Sequence, residues 1–154
     1  MTGNLNEFID NDIVLPIKTK PMYKNGGHIN STFEGEKIDL FFQYLATDKG
    51  HVVSFPFPKP SHSYDCIVDK NNTGELIKVQ IKHSKTVDEC IIASGTAKNK
   101  KPYPKEKIDF FAIYFKGSDR WFIIPRSIVG DKLKLRIGKL TKYSNYKDNW
   151  SFMK

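Results

Sequence analysis

Glu75-Leu76-Ile77-Lys78-Val79-Gln80-Ile81-Lys82 alternates with a period of two, the signature of a strand with two different faces. Leu76, Lys78, Gln80 and Lys82 share one face; Ile77, Val79 and Ile81 share the other. Upstream lies a second apolar run headed by an acid, Tyr64-Asp65-Cys66-Ile67-Val68. Between them, Lys70-Asn71-Asn72-Thr73-Gly74 is a turn-forming cluster, so the two runs are expected to pair as an antiparallel hairpin. That pairing sets Asp65 beside Gln80 and Lys82.

An acid, an amide and an ammonium on one patch of sheet suit metal-assisted phosphodiester cleavage. A hard cation such as Mg2+ takes oxygen ligands, few of them from protein. Asp65 supplies a charged oxygen, Gln80 a neutral one, and the Ile81 carbonyl lies in the same stretch of backbone. Lys82 can stabilise negative charge gathering on phosphorus. The i, i+2 spacing of Gln80 and Lys82 puts them on one face, roughly 6–7 Å apart at strand rise. The octapeptide alone is weak, because amphipathic strands often carry Lys-x-Gln-x-Lys on a solvated face.

The chain has 154 residues, which suits one domain with a proper core. Aromatics make up 13% of it, against disorder. Lys and Arg exceed Asp and Glu by 25 to 17, giving a formal charge of +8, which points to a polyanionic partner such as nucleic acid. A Lys-rich composition at large would produce the same excess. Cys66 and Cys90 both sit in apolar runs and read as buried small hydrophobes. His28, His51, His62 and His83 lack zinc-site spacing, and no apolar run is long enough to span a membrane. The expectation is an intracellular protein of cytoplasm or nucleoid, with no membrane and no small-molecule cofactor.

Residues 1–30 read as an irregular N-terminal arm, packed on the core or extending from it, and 31–154 as a single domain. Ser31 and Glu34 have capping-box form, followed by Ile38, Phe41, Phe42 and Leu45 at helical spacing, with Gly50 ending the helix. Further strands are expected at 51–55, 89–95, 110–115, 121–125 and 133–137. The run Phe110-Phe111-Ala112-Ile113-Tyr114-Phe115 has no alternation and suits a strand buried on both faces. Tyr103, Tyr114, Trp121 and Trp150 read as core aromatics. The fold class is α/β.

Taken in order, several segments resemble the PD-(D/E)XK nuclease superfamily, and within it the group I intron homing endonuclease branch. They are Gly50-His51-Val52-Val53, Tyr64-Asp65-Cys66-Ile67-Val68-Asp69, Val79-Gln80-Ile81-Lys82, Ile108-Asp109-Phe110-Phe111-Ala112-Ile113-Tyr114, Trp121-Phe122-Ile123-Ile124-Pro125 and Tyr143-x-x-Tyr146-x-x-x-Trp150. The resemblance spans about residues 33–150. It implies a restriction-endonuclease-like core, a mixed central β-sheet flanked by helices. It implies Asp65 as metal ligand, Gln80 as the amide variant of the second ligand, and Lys82 as catalytic lysine. It also implies an acid on the first helix, read as Glu36, with Glu34 and Asp39 as rivals.

The implied activity is Mg2+-dependent site-specific cleavage of double-stranded DNA, homing or restriction type, with Mn2+ able to substitute. Cutting two strands with one small site calls for a homodimer or homotetramer. Lys85, Lys98, Lys100, Lys101, Lys134 and Arg136 are candidate DNA contacts; Lys132, Lys134 and Arg136 alternate and so share a strand face. Two other readings stand beside this one: a non-catalytic DNA-binding module on the same fold, which the neutral Gln80 favours, and a Holliday-junction resolvase.

Overall fold

The computed structural model describes residues 27–57, 62–84, 90–93, 101–138 and 141–153, of which 27–32, 90–93 and 152–153 are described by backbone alone. Residues 1–26 of the expected arm, and the candidate contacts Lys85, Lys98 and Lys100, lie outside the described residues. Helix α1 runs over Gly27–Asp48. It is followed by β1 (Val52–Ser54), β2 (Cys66–Asp69), β3 (Leu76–His83), β4 (Cys90–Ala93), β5 (Phe110–Phe115) and β6 (Arg120–Pro125). Short α2 (Arg126–Val129) and β7 (Lys134–Ile137) complete the regular elements, and 3-10 turns cover Ser144–Tyr146 and Trp150–Met153.

Five strands form a mixed sheet in the order β1-β2-β3-β5-β6; β4 and β7 form a separate antiparallel pair. The expected hairpin is present: β2 and β3 are antiparallel, with Cys66 opposite Val79 and Ile67 opposite Lys78. Its long connection is explained locally. Asn71, Asn72 and Gly74 all have positive φ, conformations that Asn and Gly tolerate best. Asp69 Oδ1 accepts the Gly74 N–H at 2.8 Å, closing the turn. β3 is the central strand; β5 lies parallel to it and antiparallel to the edge strand β6.

The sheet faces sort the chain into two cores. One holds Cys66, Val68, Ile77, Val79, Ile81, Ala112, Trp121 and Ile123, covered by Ile38, Phe42 and Ala46 of α1 and by Trp150. Phe42 is wholly buried and stacks on Trp150, ring centroids 5.7 Å apart. Truncating such a side chain typically costs about 3–5 kcal/mol. The opposite face holds Phe111, Ile113, Phe115, Phe122 and Ile124, packed against Leu135 and Ile137 of β7 and against Tyr103, Ile108 and Val129. β5 contributes to both cores, as its unbroken apolar run predicts.

Two boundaries differ from the sequence reading. α1 starts at Gly27, one turn before the capping box at Ser31, so Glu34 lies inside the helix. There its carboxylate contacts Lys37 and Lys116 at 3.0 Å each. Glu34 is thus tied to Lys116, just past β5, as well as to its helical neighbour Lys37. β2 begins at Cys66, leaving Asp65 just outside the ladder.

Candidate active site

Asp65 sits where β2 parts from β3. Its backbone N–H still donates to the Val79 carbonyl at 2.9 Å. Its carboxylate Oδ2 then accepts the N–H of Ile81 at 2.7 Å, standing in for the next ladder partner. The strand divergence therefore fixes this carboxylate through a charge-assisted bond to backbone. Gln80, 5% exposed, places its amide nitrogen against the same Oδ2 and 3.3 Å from the Ile81 carbonyl oxygen. Two oxygens thus converge on one polar group.

This donor set fits a hard cation: one carboxylate, one backbone carbonyl and one primary amide. The amide lies with its NH2 toward the two oxygens, whereas the sequence reading had the amide oxygen facing a cation. An NH2 donates where acceptors converge. A cation would take the same acceptors, and Gln80 offers Oε1 by turning its amide, whose two orientations are nearly isosteric. Among the described residues, no three of His, Cys, Asp and Glu gather to hold a metal. Among the described residues Asp65 brings the one carboxylate to this centre, and the Ile81 carbonyl and the Gln80 amide are the other protein groups there that could offer oxygen.

Lys82 lies on the same strand face as Gln80, half-buried. Its Nζ is 3.4 Å from the Tyr103 hydroxyl and 5.7 Å from the centre of that ring. Tyr103 is a residue that sequence reasoning assigned only to the core. Its distance along the chain from Lys82, with β4 between them, left no periodicity from which to find the contact. Beside the centre is a cavity of about 290 Å3, lined by His62, Ser63, Tyr64, Lys78, Glu106 and Lys107. Tyr64 precedes Asp65, and Lys78 shares the face of Gln80, so the cavity adjoins the site.

The candidate helix acid is Glu36. Ile38, Phe42 and Ala46 turn one side of α1 to the sheet. Glu36, two residues before Ile38, lies about 160° around the helix and is exposed. The structure does not bring it to Asp65, Gln80 and Lys82. Moreover, α1 covers the Ile77–Val79–Ile81 face, while Gln80 and Lys82 point to the other. Of the rivals, Glu34 is turned toward β5, and Lys116 and Lys37 hold its carboxyl below the usual carboxylate range. Asp39 is half-buried on the flank of α1.

Among the other candidates, Lys101 is exposed. Lys134 and Arg136 are exposed on β7, alternating with wholly buried Leu135 and Ile137. Lys132 continues the exposed row, and the nearby Lys142 ammonium lowers its pKa. Like charges therefore crowd this edge. Arg126 is buried instead, its guanidinium given to backbone carbonyls of Tyr103 and Gly130. No described helix is long and apolar enough to cross a membrane.

The fold has counterparts among known proteins. The structure is similar to that of the bacterial homing endonuclease I-Ssp6803I, with a TM-score of 0.62 and 18% identity, over 77% of this chain and 87% of that one. It is also similar to Hjc, a Holliday junction resolvase of Archaeoglobus fulgidus, with a TM-score of 0.53 and 10% identity, over 78% and 95%. At these identities the likeness is one of fold. No individual curated protein matches the sequence. The family model for PD-(D/E)XK endonucleases, however, matches residues 29–153, nearly the whole of the described chain, and the chain belongs to that family.

Proposed function

We propose that this nuclease is a Mg2+-dependent, site-specific DNA endonuclease that makes double-strand breaks. The observation that carries the proposal is the convergence of Asp65 Oδ2, the Ile81 carbonyl and the Gln80 amide, with Lys82 one step along the same strand face. Asp65, Ile81 and Gln80 would hold the Mg2+, or Mn2+ in its place. When bound, the cation supplies Lewis acidity and charge neutralisation at the phosphodiester.

The remaining work falls to the chain. Asp65 is held in place by the Ile81 N–H, so its orientation needs little reorganisation when substrate arrives. Lys82 presents a positive charge to the oxygens of phosphorus as water adds and the P–O bond to the leaving strand breaks. The cavity flanked by Lys78 and Lys107 gives room and positive charge beside that phosphate. Lys134 and Arg136 on β7, together with Lys85, Lys98, Lys100 and Lys101, are the proposed backbone contacts. A homodimer or homotetramer would bring two such sites to the two strands.

Plasmid and a random-site DNA library, incubated with protein and Mg2+, provide the test. Linearised product that EDTA prevents, and that Asp65→Ala and Lys82→Ala abolish, is the expected result. The single carboxylate that the described residues bring to the centre favours a second reading, a DNA-binding module without activity. Tight binding with no cutting of duplexes or four-way junctions in Mg2+ or Mn2+ would decide for it.

A further inference from the structure

We propose that Tyr103 is a positioning residue for Lys82, and that Arg126 in turn fixes Tyr103. The value of this contact for cleavage rests on the nuclease reading above; the contact itself does not.

The argument starts from the lysine. A lysine side chain is a point charge on a flexible four-carbon stem, and alone on a strand face it samples several rotamers. Here the stem is walled. The Tyr103 hydroxyl lies 3.4 Å from Nζ and the ring centre 5.7 Å away, so the ammonium sits at the hydroxyl end of the ring, where it can donate to the phenolic oxygen. Tyr103 is itself held from three sides. It is 8% exposed, and its ring meets Phe111 at 5.8 Å in an edge-on arrangement. Its backbone carbonyl accepts two bonds from Arg126, 2.9 Å from Nε and 2.6 Å from Nη2. Arg126 is 3% exposed, so this guanidinium is committed to the protein interior.

The rest of the segment follows the same face of β3. Lys78 Nζ donates to the Glu106 carbonyl at 2.8 Å, and Lys78 N–H donates to Asp109 Oδ2 at 2.7 Å. Lys78 and Lys82 therefore tie residues 103–109 to β3 on either side of Gln80. The segment forms a wall along the centre, and Tyr103 is the part of that wall against the ammonium.

The test uses the full chain with 13C-labelled lysine. In the wild type, the Lys82 ε-methylene should carry a ring-current shift and show cross-peaks to the Tyr103 ring. Tyr103→Leu should remove both. In cleavage with Mg2+ it should lower kcat about 10-fold with KM within about 2-fold, the size expected from losing one hydrogen bond made by a charged group. Tyr103→Phe keeps the ring and the Phe111 contact but loses the oxygen that accepts from Lys82, and should fold like the wild type while lowering kcat about as much as Tyr103→Leu. Absence of the cross-peaks in the wild type overturns the proposal, even if Tyr103→Leu fails to fold. So does a folded Tyr103→Leu with an unmoved Lys82 signal, or with kcat unchanged. A wild type that binds DNA yet never cuts it overturns the nuclease reading, while the lysine spectrum still reports on the contact.

Discussion

Asp65 and Ile81 are joined across the point where β2 leaves β3, carboxylate Oδ2 to backbone N–H at 2.7 Å. A candidate catalytic side chain is thereby held by main chain, and the same oxygen serves both fold and proposed chemistry. The two roles should separate by substitution. Asp65→Asn can still accept the Ile81 N–H through its amide oxygen, so stability should fall by only about 1 kcal/mol. Cleavage should fall by at least about 1,000-fold, because the charged oxygen that would hold the cation is gone. Thermal melts and a plasmid assay on the same preparation check both halves.

Gln80→Glu should change the response to metal. Two carboxylates side by side repel, so the variant should melt below the wild type in EDTA. Mg2+ should then raise its melting temperature more than that of the wild type, since a second charged oxygen tightens binding and binding stabilises the folded state. A variant that melts identically with EDTA and with Mg2+ would count against a cation at this centre.

Lys82→Met keeps most of the stem and removes the charge. DNA affinity should stay within about 3-fold, while kcat should drop by roughly 100- to 1,000-fold, the range for one lost electrostatic stabiliser. Gel-shift binding with Ca2+ beside single-turnover cleavage with Mg2+ measures the two effects apart.

β7 offers a test of substrate contact that leaves the core alone. Lys134 and Arg136 are exposed, so Lys134→Gln and Arg136→Gln should leave melting unchanged within about 0.5 kcal/mol. If both touch phosphates, the pair should reduce the slope of log K against log salt by about 1.8. An unchanged slope places the DNA elsewhere.

His51 gives a pH dependence with a definite sign. It is buried, and its Nδ1 accepts the N–H of Asn71 at 3.1 Å. Burial, with Lys49 and Lys70 nearby, lowers its pKa below the ordinary 6.5. The folded chain therefore binds fewer protons here than the unfolded one. This contribution is complete above about pH 6.5 and is lost as pH falls below it, toward the folded pKa. Melting temperature should fall between pH 7 and pH 5 in the wild type, and less so in His51→Gln.

How far the sequence could be read follows from how local each signal was. The β2–β3 hairpin and the shared face of Gln80 and Lys82 rest on alternation and turn residues, both short-range. β5 was legible because it lacks polar positions altogether. The start of α1 was not, because Glu34 has the form of a cap yet pairs with Lys116, a partner far along the chain. The choice of Glu36 rests on a non-local feature in the same way. A pattern match supplies an acid on the first helix, but only packing decides which side of that helix faces the sheet. Tyr103 was invisible as a neighbour of Lys82, since nothing in its flanking residues encodes the return of that loop over β3.

The separate pairing of β4 with β7 has a consequence for how such a chain can diversify. The exposed cations of β7 hang on a ribbon whose ladder is independent of the five-strand sheet. For an enzyme of the proposed kind, grip and scissors then belong to different scaffolds. Substitutions that retarget the ribbon to new DNA can accumulate without disturbing the alignment of the cutting groups.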